Sequence, residues 1–172
     1  GVLAAPISRT SLVIGKIAGG TLLAFVQAAA FIGLALILKS TGLIASLDFS
    51  LGVGQVIGVL LMLLLMGLGL CGLGYFFAWR LDSVQGFHAI MSVLLFPMWL
   101  MSGAFFPSEG SGWLKWSIAV NPMTYGVAGL RRIMFPESSQ ALPSLLVCFA
   151  ITALFAVVMV AIDTALTRRP QT

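Results

Sequence analysis

The sequence predicts an all-α membrane protein with about four transmembrane helices. Of its 172 residues, 60% are hydrophobic and 8% are charged, whereas about a quarter of the residues in soluble domains are charged. Its mean hydropathy of +1.11 is correspondingly high. Because so few polar groups cannot cover a water-soluble globule, most of the chain must face lipid. One crossing of the hydrocarbon core requires about 20 apolar residues, so four crossings with their loops fit this length.

Four apolar runs account for the predicted spans, at residues 17–38, 51–79, 87–106 and 142–162. Lys16 and Lys39 flank the first run. The second run contains no charge and exceeds the length of a straight crossing, so we expect it to tilt or to extend beyond the interface. Pro97 removes a backbone donor from the third run and predicts a kink there. Pro143, near the start of the fourth run, is typical of a first helical turn.

The stretch 107–141, between the third and fourth spans, is too polar and too interrupted to cross a membrane. It predicts two short helices, at about 111–120 and 122–135, which dip into the membrane or lie on its interface. Trp113 and Trp116 in the first of them suit the level of the lipid headgroups. Non-helical backbone between the two helices is tolerated at membrane depth only where protein or water covers it.

The basic residues favour an orientation with both termini in the cytoplasm. They are scattered along the chain, without the basic stripe and interleaved aromatic residues of a nucleic-acid surface, so we expect no nucleic-acid partner. With cytoplasmic termini, that side holds Arg9, Lys16, Arg80, Arg168 and Arg169. The opposite side then holds Lys39, Lys115, Arg131 and Arg132. The loop 80–86 and the pair 168–169 lie close to span ends, where the positive-inside rule has most force. No repeat or linker divides the chain, which predicts a single membrane domain over residues 1–172.

The chain lacks the residues that would make it an ATPase or another enzyme. It contains no G-x-x-x-x-G-K-[ST] motif, and its glycine-rich pieces lie in an apolar run without the Lys and Ser/Thr that hold phosphate and magnesium. Cys71, His88 and Cys148 lie far apart and do not have the spacing of a zinc site. We interpret the two cysteines as small buried hydrophobes. We therefore expect no catalytic residue, no cofactor and no metal in this chain.

Acidic residues deep in a span would indicate ion coupling, and the sequence predicts none there. Four of the five acids lie in predicted loops: Asp48, Asp82, Glu109 and Glu137. The fifth, Asp163, lies near the end of the last span and close to Arg168 and Arg169. We interpret Asp163 as an interfacial acid beside basic neighbours.

Small and polar residues within the spans indicate how the helices pack. Gly15 with Gly19, and Gly54 with Gly58, form G-x-x-x-G pairs that would let helix backbones approach closely, in this chain or against a second subunit. The alternative is that glycine is simply frequent in membrane helices. The few polar residues in the spans, such as Gln55, are expected to bond between helices or to face a cavity. Spans so rich in Phe, Met and Leu suit a lipid-like or amphipathic cargo.

Two stretches resemble motifs in the permease subunits of type-2 ABC exporters. The run A-P-I-S-R at 5–9, continued to G-K at 15–16, resembles the T-P-V-S-R…L-L-G-K segment that follows the coupling helix of the family. The runs S-G-A-F-F-P, W-L and N-P-M-T-Y, followed by an arginine, resemble the family's S-G-x-F-F-P…W-L…N-P-L-T-Y…R near its last span. The matched residues of the first stretch are Pro6, Arg9, Gly15 and Lys16. Those of the second are Ser102, Gly103, Phe106, Pro107, Trp113, Asn121, Pro122, Tyr125 and Arg131.

The resemblance implies a fold and a set of partners. The family's permease has six spans, dimerises and docks two ATPase subunits, so this chain would supply the C-terminal four spans. Residues 1–16 would follow the coupling helix on the cytoplasmic side, and 107–141 would lie on the outer side. ATP and Mg would then be bound by the partner ATPase and not by this chain. A second permease subunit, identical or different, and the lipid bilayer are the other implied partners, in a bacterial inner or plasma membrane.

The matched residues receive physical roles from their chemistry. Arg9 and Lys16 would anchor the first span at anionic headgroups, and Pro6 would end the preceding segment. Pro107 and Pro122 would break helices where the chain turns at the outer surface. Tyr125, like the two tryptophans, would lie at the headgroup level. This chain departs from the family pattern in two ways. The family's first two spans are absent, and a Ser-Gly pair stands where the family often has Pro before Trp-Leu.

The function implied by the resemblance is export of a substrate by alternating access, driven by a separate ATPase. A secondary transporter is one alternative, and it predicts intramembrane carboxylates and repeat symmetry, neither of which the sequence displays. A non-transporting membrane scaffold or assembly protein is another alternative, and the sequence leaves it open.

Overall fold

The computed structural model describes residues 9–42, 52–104, 112–136 and 142–168. Within these ranges the chain forms six α-helices, one π-helical segment and no strand. The helices are α1 (Arg9–Ser40), α2 (Val53–Ala78), α3 (Val84–Trp99), α4 (Gly112–Val120), α5 (Pro122–Met134) and α6 (Leu145–Arg168). The π segment, Leu100–Ala104, directly continues α3.

Four helices are long and apolar enough to cross a membrane: Thr10–Ser40, Val53–Ala78, Val84–Gly103 and Leu145–Thr167. The prediction of an all-α membrane protein with four transmembrane helices is thereby confirmed. The first helix begins well before the predicted span, because the polar residues at its start continue the same helix.

Helix α2 lies at the centre of the bundle, in contact with α1, α5 and α6. Its 26 residues carry no charge, and its glycines bring neighbouring helices close. Gly67 faces Thr21 of α1, and Gly72 faces Met159 of α6. In lipid, such close van der Waals contact replaces the hydrophobic force as the main attraction between helices. Of the predicted Gly54–Gly58 pair, only Gly58 lies against a neighbour, Ile133, and Gly54 meets no described atom within 4 Å.

Contacts along α2 establish the directions of its neighbours. Helix α1 is antiparallel to α2, because Thr21 lies against Gly67 while the earlier Gly20 lies against the later Cys71. Helix α6 is parallel to α2, because successive residues of the two helices meet in the same order. The start of α1 and the ends of α2 and α6 therefore share one end of the bundle, the proximal end. The end where α2 and α6 begin is the distal end.

Helix α1 packs through a face other than the predicted Gly15–Gly19 pair. A Cβ built on either glycine would meet no atom within 4 Å in the described part of the chain. The face in contact with the bundle consists of Val13, Ile17, Gly20 and Thr21. The pair therefore makes no close contact among the described residues of this chain, and its contact with a second subunit stays a prediction.

Helix α3 is broken near its distal end. Its first turn is capped by the hydroxyl of Ser83, which accepts a hydrogen bond from the Gly86 N–H at 3.0 Å. Pro97 lies within the helix and lacks the N–H that would continue the ladder. The π segment follows at Leu100, and its fourth residue, Gly103, has φ +81°, in the left-handed region that favours glycine. The chain therefore leaves helical geometry at Gly103, six residues beyond the proline, and a kink at Pro97 itself stays a prediction.

The stretch between α3 and α6 contains two short helices, α4 and α5, as predicted. Helix α5 packs along the first half of α2, with Gly126 against Met66 near the middle of α2. Farther on, the Ile133 side chain lies against Gly58, nearer the start of α2. Helix α5 therefore runs antiparallel to α2, from the middle of the bundle to its distal end.

The core of this region lies where α2, α5 and α6 meet. It consists of Met62, Ala128 and Cys148, all nearly or fully buried. Gly129 of α5 brings its backbone against Met62 and Cys148. Cys148 acts as a small buried hydrophobe, as the sequence indicated.

Helix α6 begins later than Pro143. This proline was expected in the first helical turn, but the helix starts at Leu145 and is preceded by Ser144. The Ser144 hydroxyl accepts a hydrogen bond from the Val147 N–H at 3.4 Å, which suits a residue in the N-cap position. The Pro143 carbonyl accepts instead from the side chain of Arg132, so its residue belongs to the connection.

Candidate functional site

The motif residues of the second stretch meet where α3 ends, α4 ends and α5 begins. We call this region the junction and define it by Ser102, Gly103, Asn121, Thr124 and Tyr125. Gly103 contributes a backbone with positive φ. Each of the others donates a side-chain hydrogen bond to a main-chain carbonyl. The sequence separates these residues by up to 23 positions, and the fold brings them together.

Asn121 joins α5 to the end of α3. Its Oδ1 accepts a hydrogen bond from the Met123 N–H at 3.0 Å, which makes Asn121 the N-cap of α5. Its Nδ2 donates to the Met98 carbonyl at 2.6 Å. Pro122 occupies the first position of α5, where its missing N–H costs nothing. The Asn121 side chain thus bonds a backbone N–H at the start of α5 and a backbone carbonyl near the end of α3.

Thr124 and Tyr125 satisfy the carbonyls at the end of α4. The Thr124 hydroxyl donates to the Ile118 carbonyl at 2.7 Å, and the Met101 carbonyl of the π segment lies 3.5 Å away. The Tyr125 hydroxyl donates to the Ala119 carbonyl at 2.9 Å. The last carbonyls of any helix lack partners within it. The N-P-M-T-Y motif therefore supplies three side-chain donors to two neighbouring helix ends.

The π segment is stabilised from within by Ser102, which is buried. Its hydroxyl donates to the Trp99 carbonyl at 2.6 Å. Breaks of this kind within a helix leave carbonyls without their usual N–H partners. Ser102 and Asn121 each donate a side-chain hydrogen bond to a carbonyl near this end of α3, which holds it in a defined conformation.

The turn between α4 and α5 lies deeper than expected. We expected Pro122 to mark a turn at the outer surface, with Tyr125 at the headgroup level. Pro122 instead lines a small cavity with Met66, Leu70 and Phe155, and these residues lie near the middle of α2 and α6. The depth of this turn depends on the position of α5 along α2. The close contacts of Gly126 and Gly129 with α2 determine that position.

Two arginines end α5 near the distal end. The Nη1 of Arg132 donates to the carbonyls of Leu142 and Pro143, at 2.6 and 3.0 Å. This contact ties the end of α5 to the connection that precedes α6. Arg131, the arginine of the predicted motif, is exposed.

The remaining predicted site residues lie apart from the junction or outside the described residues. Pro6, Phe106 and Pro107 lie outside them. Arg9 begins α1 at the proximal end, and Gly15 and Lys16 are exposed one to two turns later. Trp113 is exposed at the start of α4. The structure therefore places the first motif stretch at the proximal end, apart from the junction, which is level with the middle of the bundle.

A broad open groove of about 790 Å³ runs along α3. Its described lining consists of His88, Met91, Ser92, Val93, Leu95, Phe96 and Pro97. No residue of the α3 shaft is buried, and its contact with α2 is limited. Helix α3 is thus anchored at the junction and otherwise presents a largely apolar face.

Gln55 forms a hydrogen bond between helices, which is one of its two predicted roles. Its Nε2 donates to the Ile133 carbonyl at 3.0 Å, and its Oε1 accepts from the Gly52 N–H at 2.8 Å. It therefore ties the start of α2 to the end of α5. In the described residues, no three His, Cys, Asp or Glu side chains are grouped as a metal ion would require.

Asp163 is the polar residue that the sequence interpretation placed wrongly. It is fully buried against α2, where an interfacial acid was expected. Every third or fourth residue of α6 forms a buried stripe: Cys148, Thr152, Ala156, Met159, Asp163 and Thr167. The spacing of this stripe is the signal that could have identified its burial, because a helical face repeats at that interval.

The part of the chain that matches a known sequence family ends close to the end of a helix. A sequence-family model described as "ABC-2 type transporter" matches residues 2–135, from the start of the chain to the end of α5. No curated protein and no solved structure matches the chain.

Proposed function

Since this chain belongs to the ABC-2 type transporter family, we propose that it forms the substrate pathway of an exporter and is driven by a separate ATPase subunit. Membership makes it a multi-pass transmembrane permease of an ABC-type system. The export direction and the ATPase partner are the parts that we propose. The observation that carries the proposal is the family match over most of the chain.

The proposed division of labour follows from the absence of a P-loop motif in the sequence. Phosphate binding by that motif requires backbone N–H groups, a lysine and a hydroxyl at fixed positions. In this proposal ATP and Mg bind to the partner ATPase, and the permease performs no covalent step. A second permease subunit completes the pathway.

The proposed orientation places the proximal end in the cytoplasm. Arg9, Lys16 and Arg80 lie at this end, close to the ends of spans, where basic residues favour the cytoplasmic side. The distal end, with Arg131 and Arg132, then faces outward. Helices α4 and α5 would form a re-entrant pair that enters the membrane from the outside and returns.

The groove along α3 supports a cargo with substantial apolar surface. Most of its lining is aliphatic or aromatic, and His88 and Ser92 add polar groups toward the start of the helix. Binding sites for amphipathic ligands combine a wide apolar lining with few polar groups. In alternating access, α3 would move against α2 while its distal end stays fastened at the junction.

The first experiment is purification of the full-length protein from membranes under gentle conditions, followed by an assay of ATP hydrolysis. We expect a P-loop subunit to co-purify and its turnover to depend on this chain. Inside-out vesicles should then accumulate an amphipathic substrate when ATP is added. Purification of the chain alone, without ATP hydrolysis in the membrane fraction, would contradict the proposal.

A paired variant tests whether the junction matters for transport. Asn121→Ala removes the amide that joins α5 to α3, whereas Ser117→Ala removes an exposed hydroxyl that bonds only within α4. Substrate-dependent ATP turnover should fall in the first variant and remain in the second. Equal turnover in both would show that transport does not require the junction.

A further inference from the structure

Asp163 lies on the buried stripe of α6 at the proximal end, in the seam where α6 meets α2. Its side chain has no exposed surface. A Cβ built on Gly72 would lie 3.3 Å from Asp163 Oδ2 and 2.8 Å from Met159 Cβ. The backbone of α2 is therefore packed directly against the carboxyl group, with no space for a hydrated ion between them.

Neither carboxyl oxygen has a hydrogen-bond partner among the described residues. The nearby Thr167 hydroxyl donates to the main-chain carbonyl of Asp163, at 2.9 Å, and not to its carboxyl group. Buried polar groups almost always have partners, so two unpartnered oxygens on one side chain require an explanation.

The groups that surround this carboxyl supply no described positive charge. On α2, Tyr75 is near enough to interact with it electrostatically, and that phenol carries no positive charge. On α1, the buried side chains at this end are the apolar Val13 and Ile17, while Lys16 is exposed. On α6 itself, the neighbouring buried side chains are Met159 and Thr167.

An ionised carboxylate in this position would be both desolvated and unpaired, which is the most costly state for an acid inside a protein. Acids within membrane spans are rare for the same reason and usually mark a binding function. A proton converts the group into a neutral acid of the same shape, and it needs no additional space. A proton is thus a ligand that the packed seam accommodates.

We propose that Asp163 is a proton-binding site whose occupancy is coupled to the packing of α2 against α6. In the packed state the carboxyl group is protonated. When the two helices separate at the proximal end, water reaches the group, the O–H bond breaks, the proton passes to water and the carboxylate keeps the electron pair. Repacking takes up a proton from water again. The proposal does not depend on the direction of transport.

The coupling has a defined sign. The packed state binds one proton more than the separated state, so rising pH favours separation, by up to tenfold for each pH unit. Asp163→Asn keeps the shape of the neutral acid but cannot ionise. This variant should therefore remain packed at a pH at which the wild-type seam opens.

The test uses the full chain in lipid nanodiscs and two readouts. Infrared spectroscopy should detect the C=O stretch of a protonated carboxylic acid at neutral pH. That band should be absent in Asp163→Asn and retained in the control Asp82→Asn, whose acid is exposed between α2 and α3. The wild-type thermal midpoint should fall as pH rises, whereas that of Asp163→Asn should change less over the same range.

Two outcomes would overturn the proposal: a neutral-pH spectrum without a protonated acid band, or identical pH profiles for wild type and Asp163→Asn. If Asp163→Asn does not fold, aspartate labelled with carbon-13 keeps the test decisive. The label shifts the band of an aspartate in the wild-type chain. The Asp48→Asn/Asp82→Asn variant removes the other two aspartates of this sequence. If the labelled band is lost in that variant, it belongs to Asp48 or Asp82, and the proposal is refuted.

Discussion

Replacement of Gly72 by alanine tests the close packing of α2 against α6. The added methyl carbon would lie 2.8 Å from Met159 Cβ and 3.6 Å from the Met159 main-chain carbon. Carbon atoms in contact normally lie about 3.5–4.0 Å apart. Because a Cβ is rigidly attached to its helix, Met159 cannot move aside by rotating. The two helices must separate locally by roughly 1 Å, measured against that contact distance.

The expected cost follows from this overlap. Overpacking of a close interface costs about 1–3 kcal/mol, partly offset because alanine favours helix over glycine by about 1 kcal/mol. Gly54→Ala is the matched control on the same helix, since no atom of another described element lies within 4 Å of its Cβ position. Both variants share the gain in helix propensity. Their difference in unfolding free energy should therefore equal the overpacking term, or roughly 5- to 150-fold in the equilibrium constant.

The assay is reversible unfolding in mixed micelles, followed by circular dichroism. Gly72→Ala should unfold at a lower denaturant fraction than Gly54→Ala, with a similar slope. Equal stability of the two variants, or a more stable Gly72→Ala, would refute the packing of α2 against α6 described here.

Three further predictions concern the junction and the distal end. Asn121→Ala should lower stability by about 2 kcal/mol, since it removes a helix cap and the side-chain donor to the part-buried Met98 carbonyl; thermal melts should show Ser117→Ala nearly unchanged. Gly103→Ala should cost about 1–2 kcal/mol, because its φ is positive, whereas Gly112→Ala should cost nothing in the same melts. Gln55→Leu should cost about 1 kcal/mol by loss of the bond to the end of α5, with faster amide exchange there as the readout; unchanged exchange would contradict this role.

The spans could be predicted from the sequence because the signal is local. Each crossing is recorded in about 20 consecutive apolar residues, and no knowledge of neighbours is needed to find them. An irregularity toward the end of α3 could be expected from Pro97, but the residue that leaves helical geometry is Gly103, which the sequence did not single out as a break. The two short helices followed from a stretch too polar to cross and bounded by prolines.

The site was predictable only in part. The motif residues from Ser102 to Tyr125 were found by resemblance, but their hydrogen bonds join helix ends up to 23 positions apart in sequence. Those partners are main-chain carbonyls, which every residue possesses, so no sequence pattern distinguishes the carbonyl of Met98 from its neighbours. The roles of Gly15 and Lys16 at the other end stay predictions.

The sequence by itself determined that this chain resides in the membrane, crosses it with four helices and carries no P-loop, because hydrophobicity and motifs are properties of consecutive residues. Only the tertiary structure decided which face of each helix meets another. It placed Gly20 rather than Gly19 against α2, set the turn before α5 level with the middle of the bundle, and buried Asp163. Each of these outcomes depends on the rotation and depth of one helix relative to another. Close contacts between small residues determine that geometry, and the linear order of residues does not contain it.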